Sequence, residues 1–225
     1  MSPRERWTDP YAGMPGRRLF IAVPLPDEAA AAVRSIVDQV RAEPLPAGAR
    51  DVRWVRLDSL HLTLRFLGPT PEDRLDPTAA AVRSVAAAAP GPITMQLGGA
   101  GTFPRQGRPR SLWIGIVGGA EALGELAESL ERALAPAGWA SEHRPFRPHL
   151  TLARSDGVAA GPLVAGRLEA AMAGSTIAAT LDRIGLFESV TGGGPARYVP
   201  VTSAELGAVA LETPPVYHSI TQEPH

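Results

Sequence analysis

The 225-residue chain contains no cysteine. That absence excludes disulfides, thiolate metal ligands and a cysteine nucleophile. Lysine is missing too, because all 22 basic residues are arginine. A P-loop would lack its lysine, a Schiff base cannot form, and nucleotidyl transfer through a lysine adduct is impossible. No apolar stretch approaches the roughly 20 residues of a membrane span, and the alanine run at residues 86–89 is cut by Pro90. The opening residues lack the apolar centre of a signal peptide, so no membrane partner and a cytoplasmic residence are expected. A formal net charge of −1 and a pI near 6.5 argue against a long duplex-binding surface. Local arginine clusters could still hold one or two phosphates, which suits small or terminal nucleotides.

What the chain does have is a repeated tetrapeptide. His-Leu-Thr-Leu occurs at residues 61–64 and again at 149–152, each time in a β-type run. Two identical copies among five histidines are a poor match for chance. Side chains alternate faces along a strand. His61 and Thr63 would therefore point one way, with Leu62, Leu64 and Phe66 pointing into a core. His149 and Thr151 would be presented in the same manner over Leu150 and Leu152. Each strand offers an imidazole beside a hydroxyl.

With 44% hydrophobic residues, the chain can bury the core of one sizeable domain or two small, intimate lobes. Residues 1–16 read as a leader, 17–204 as a single bilobal domain and 205–225 as a tail. The spacing predicts a strand over 19–25, a helix opened by Pro26-Asp27-Glu28, strands over 52–56 and 61–67, a helix over 72–89 and a strand over 93–97. An arginine-proline loop follows at 103–109. The order then recurs: strand 112–117, helix 121–134, irregular stretch, second motif strand. An internal repeat of about 19–68 and 112–154 implies a pseudo-symmetric duplication, with the two histidines facing each other across its axis. A helix over 163–172, a long strand over 176–187, a glycine hairpin at 192–194 and a short strand over 197–201 complete the pattern.

The segments Leu60-His61-Leu62-Thr63-Leu64-Arg65-Phe66-Leu67-Gly68 and Arg144-Pro145-Phe146-Arg147-Pro148-His149-Leu150-Thr151-Leu152-Ala153-Arg154 resemble the paired signatures of the two-histidine (2H) phosphoesterases. Within them the chain resembles the bacterial RNA 2′,3′-cyclic phosphodiesterases, also called 2′-5′ RNA ligases. Arg18-Leu19-Phe20-Ile21-Ala22, Val52-Arg53-Trp54-Val55, Leu186-Phe187-Glu188-Ser189 and Ala196-Arg197-Tyr198 extend the likeness over roughly residues 17–201. The resemblance implies an α+β fold of two pseudo-symmetric lobes, antiparallel sheets lining a central cleft and helices on the outer faces. It also implies hydrolysis of 2′,3′-cyclic phosphate ends on RNA or small nucleotides to 2′-phosphomonoesters, with ATP-independent 2′-5′ joining as the related reaction.

In the family pattern His61 is the proton donor and His149 the proton acceptor. Thr63 and Thr151 bind non-bridging phosphate oxygens, and Arg154 supplies charge to the pentavalent state. The residues alone assign neither direction to the histidines. A pKa near 6.5 lets one be neutral while the other is protonated, so neither a metal nor a cofactor is expected. Arg65 is the weaker basic candidate, and Arg144 and Arg147 read as structural or rim charges. Phe20, Trp54, Phe103 and Tyr198 could stack on a base but read first as core. Other readings stay open: another nucleotide diester, such as ADP-ribose cyclic phosphate or a 2′-5′ oligoadenylate, or a non-catalytic RNA-end binder. A monomer is expected.

Overall fold

The computed structural model describes residues 16–47, 52–156, 159–190 and 196–208. Residues 1–15 of the expected leader, the glycine hairpin at 192–194 and positions 209–225 of the expected tail lie outside the described residues. The chain runs β1 (Arg17–Pro24), α1 (Asp27–Ala42), β2 (Val52–Trp54), β3 (His61–Thr70), a 3-10 turn (Glu72–Arg74), α2 (Leu75–Ala88), β4 (Ile93–Phe103) and β5 (Ser111–Gly118). It continues with α3 (Ala120–Leu134), β6 (His149–Ser155), α4 (Ala160–Met172), β7 (Thr176–Leu181), β8 (Arg183–Val190) and β9 (Arg197–Glu205).

Helical periodicity explains the longer helices. In α1 the buried residues Ala29, Ala30, Val33, Val37 and Val40 form one stripe, with Asp27 and Glu28 in the first turn and Arg41 in the last. Those charges complement the helix dipole. In α3 the stripe is Leu123, Leu126, Ala127, Leu130 and Leu134.

The strands form one antiparallel sheet in the order β7-β4-β5-β6-β3-β1-β8-β9, with β2 also paired to β6. That order is symmetric about its centre. The β1-α1-β3 unit on one side corresponds to β5-α3-β6 on the other. The expected two sheets are thus halves of one continuous sheet, joined where Leu62 pairs with Leu150. Both leucines are fully buried at the join. Helices α1 and α4 pack together against β7 and β4, and α2 packs with α3 and against β8 and β9.

The expected single strand over 176–187 is two strands. β7 pairs with β4 at one end of the sheet, and β8 pairs with β1 in the opposite half. Asp182 alone separates them. Consecutive Cα atoms are about 3.8 Å apart, so the two ends of the strand order must come close together. The sheet is therefore curled into a half-barrel. Its last strand also outlasts the expected boundary at residue 204. β9 runs to Glu205, and Leu206 is 4% exposed, with its amide donating to the Asp182 carbonyl at 2.8 Å. The core needed that leucine, and polarity in the flanking sequence concealed it.

Candidate active site

Strand alternation brings His61 and Thr63 to the concave face of β3, and His149 and Thr151 to that of β6. Extending the antiparallel register by one residue from the Leu62–Leu150 pair sets His61 across from Thr151 and Thr63 across from His149. The two motifs interlock at the pseudo-twofold axis.

Beyond the threonines a matched pair of β-bulges resets the phase. On β3, Ala22 pairs with Thr63 and Ile21 with Arg65, leaving Leu64 as an extra residue. On β6, Trp113 pairs with Thr151 and Leu112 with Ala153, leaving Leu152 as an extra residue. A bulge adds one residue to one strand and flips the alternation after it. Two facts follow. Arg154, an odd number of residues from Thr151, still turns into the cavity beside Thr151. Phe66, expected in the core, is 62% exposed and lines the same cavity. Arg65 is turned away instead. Its guanidinium lies 3.3 Å from both Glu131 and Glu142 and donates to the Ala140 carbonyl at 2.6 Å.

The cavity encloses about 970 Å³ and is lined by His61, Thr63, Phe66, Thr151 and Arg154, among others. Phe66 lies four residues from the axis along β3, and Arg154 four residues from it in the opposite direction along β6. The cavity is therefore an elongated groove with an aromatic end and a cationic end.

Both imidazoles are fixed in one way. Nδ1 of His61 lies 2.8 Å from the Ser59 carbonyl oxygen, and Nδ1 of His149 lies 2.7 Å from that of Arg147. A carbonyl only accepts, so each Nδ1 carries the proton and each Nε2 is the nitrogen left for chemistry. Rings hold the imidazoles from the side. His61 has Phe20 at 5.0 Å and Tyr198 at 4.9 Å, the latter edge-on at 90°. His149 has Phe103 at 4.9 Å and Trp113 at 6.2 Å. Three of the four aromatics singled out from the sequence thus contact a histidine, while Trp54 lines the cavity near Arg41, whose guanidinium lies 5.4 Å from its ring. Trp113 was not legible as a site residue, because a tryptophan in a β-type run reads as core.

Burial pushes both histidines below their ordinary pKa. The carbonyl contacts oppose this shift, and the positive charge of Arg154 reinforces it. Burial lowers the pKa of Arg154 and raises that of the Tyr198 phenol. Arg154 makes no ion pair with any described residue, whereas its neighbours Arg53 and Arg56 are held by Asp156 and Asp58. A guanidinium in that state is ready for an anion.

Among the described residues no three side chains converge as a metal site. Glu142 is held by Arg144 and Arg65, and Arg144 draws its carboxyl down to about 2. Arg147 contributes its carbonyl rather than its charge.

Two histidines on twinned strands of one curled sheet define a two-histidine phosphoesterase fold. The model of the 2′-5′ RNA ligase superfamily matches residues 25–193, and the chain belongs to that superfamily. The chain is 37% identical over 135 residues to an RNA 2′,3′-cyclic phosphodiesterase of Geobacillus stearothermophilus, a match spanning 60% of this chain and 41% of that protein. It is 39% identical over 145 residues to one of Thermus thermophilus, spanning 61% of this chain and 68% of that protein. Among solved structures, a second Thermus thermophilus protein superposes with a TM-score of 0.66 at 29% identity, covering 84% of this chain and 98% of the other. Escherichia coli LigT complexed with 3′-AMP superposes with a TM-score of 0.62 at 26% identity, covering 85% and 99%. No helix among the described residues is long and apolar enough to cross a membrane.

Proposed function

We propose that the chain hydrolyses RNA 2′,3′-cyclic phosphate ends to 2′-phosphomonoesters by two-histidine acid–base catalysis. One observation carries this reading: two imidazoles with identical carbonyl clamps present Nε2 on either side of a space framed by Thr63, Thr151 and Arg154. The names of the curated relatives support it. His149 Nε2 takes a proton from water, which attacks phosphorus in line. The P–O3′ bond breaks, and His61 Nε2 protonates the departing 3′ oxygen. The threonine hydroxyls and Arg154 bind the non-bridging oxygens, whose charge grows in the pentavalent state. Reversal of the same steps, with a 5′-hydroxyl nucleoside end in an appropriate position, gives ATP-independent 2′-5′ joining. LigT has been solved with 3′-AMP, which supports placing a nucleotide in the groove, its base on the exposed face of Phe66. We place the protein in the cytoplasm as a monomer.

The test is incubation of the protein in EDTA with a 2′,3′-cyclic nucleotide, resolving 2′-phosphate from 3′-phosphate products. A 2′-phosphate that forms with the parent and not with His149→Ala is the expected result. No product from the folded parent, or full turnover by His149→Ala, would overturn the reading.

A further inference from the structure

Residues 104–110 join β4 to β5 and read Pro-Arg-Gln-Gly-Arg-Pro-Arg. Arg105, Arg108 and Arg110 are exposed, the segment contains no carboxylate, and none of the three makes an ion pair with a described residue. That is unusual around this groove. Arg53 is neutralised by Asp156, Arg56 by Asp58, and Arg65 by Glu131 and Glu142. In a chain of net charge −1, three adjacent guanidiniums left uncompensated make a local positive field.

The loop is tied to the reactive centre at both ends. The Arg110 amide donates to the Phe103 carbonyl at 2.8 Å, and the Ser155 amide, next to Arg154, donates to the Arg110 carbonyl at 3.1 Å. Thr102 Oγ1 donates to the Pro104 carbonyl at 3.0 Å. Phe103 itself lies edge-on to His149. Arg110 lines the groove with Arg154, so the cationic end continues out of the cavity along the loop. Cleavage of a cyclic phosphate needs one phosphate site, which Arg154 and the threonines already supply. Further guanidiniums beyond that site match further phosphates of the same strand.

We propose that the β4–β5 loop is a grip for single-stranded RNA, in which Arg105, Arg108 and Arg110 bind phosphates 5′ of the reacting end. The protein then works on polynucleotide ends in preference to free cyclic mononucleotides. This rests on the proposed reaction for its substrate, while the binding itself is measured without turnover.

The test compares the parent with Arg105→Gln/Arg108→Gln, both full-length. Binding of a fluorescein-labelled oligoribonucleotide bearing a 3′-phosphate is followed by anisotropy over a range of salt concentrations. Turnover is measured on a cyclic-ended oligonucleotide and on a 2′,3′-cyclic mononucleotide. Each lost phosphate contact on a single strand removes about 0.7 from the slope of log K against log salt. The variant should therefore lose about 1.4 of slope, and its kcat/KM on the oligonucleotide should fall about tenfold, with the mononucleotide value within about twofold of the parent. An unchanged affinity and salt slope would overturn the grip. So would an equal loss on both substrates, which would assign the loop to packing around His149. A parent that binds the oligonucleotide with the expected slope yet cleaves neither substrate would refute the proposed reaction and leave the grip standing.

Discussion

Replacing Arg154 with glutamine separates two things its charge does. The first is stabilisation of the pentavalent phosphate. Arg154 has no carboxylate partner among the described residues and reaches the cavity through the Leu152 bulge. Losing one preorganised donor aimed at a developing oxyanion costs about 10²–10³ in kcat, and Arg154→Gln is expected to fall in that range. The second is the effect on the two imidazoles. Arg154 is one cause, after burial, of the depressed pKa of both His61 and His149.

The sign of the pH effect can be worked out. The base must be neutral, so the acid limb of kcat/KM reports its pKa. The acid must be protonated, so the alkaline limb reports the other. With both depressed, the parent's free-enzyme bell lies on the acid side of pH 6.5, the ordinary histidine value. Removing the positive charge raises both pKa values, moving the whole bell to higher pH. Burial remains, so the bell should still lie below its unperturbed position. Arg154→Lys keeps the charge without the planar fork. It should hold the parent's pH profile and recover part of kcat. The assay is kcat/KM against pH on a 2′,3′-cyclic nucleotide for the three proteins. A loss under tenfold in Arg154→Gln, or a glutamine bell coincident with the lysine one, would refute the reasoning.

Phe66→Ala should raise KM for a cyclic nucleotide about 5- to 150-fold, as loss of a base–aromatic stack does. Its side chain is 62% exposed, so denaturant unfolding should move by no more than about 0.5 kcal/mol; a large loss of stability with KM intact would return Phe66 to the core. The depressed histidines also tie stability to pH. Their unfolded forms bind protons at pH values where the folded forms do not. Stability is therefore fully present above pH 6.5 and declines as pH falls from there towards the folded values. Denaturant midpoints between pH 7.5 and 5 should show this slope, and His61→Gln should flatten it; an equal slope in the variant would show that other groups carry it.

Much of this site was legible in the sequence because its chemistry sits inside a repeated motif with strand spacing. His61, Thr63, His149 and Thr151 could be set on one face by counting alone. The bulges could not. A bulge is a mismatch between two strands, decided by how β3 packs on β1 and β6 on β5, and neither Leu64 nor Leu152 announces it. That is why alternation misplaced Phe66, and why Arg154 was available only through family resemblance. The division at Asp182 was hidden for a similar reason. Both flanking runs have β-type composition with no proline between them, and only their different partners separate β7 from β8. The carbonyl clamps at Ser59 and Arg147 use backbone atoms, which carry no residue signature.

The duplication leaves a difficulty that the structure resolves. Two imidazoles with the same clamp, the same following threonine and depressed pKa values of the same cause are chemically interchangeable. Nothing in that apparatus decides which one gives a proton and which one takes it. The decision must come from how the substrate lies, and the repeat is broken at the one position that can dictate this. Five residues after each histidine, the matched bulges turn a side chain into the groove, and it is phenylalanine in the first copy and arginine in the second. A nucleotide has one aromatic part and one charged part, so a groove with one ring end and one cationic end accepts it in a single orientation. Acid and base are then assigned by Phe66 and Arg154 rather than by the histidines. A gene duplication that began with a symmetric phosphate site needed only those two divergences to give it a direction.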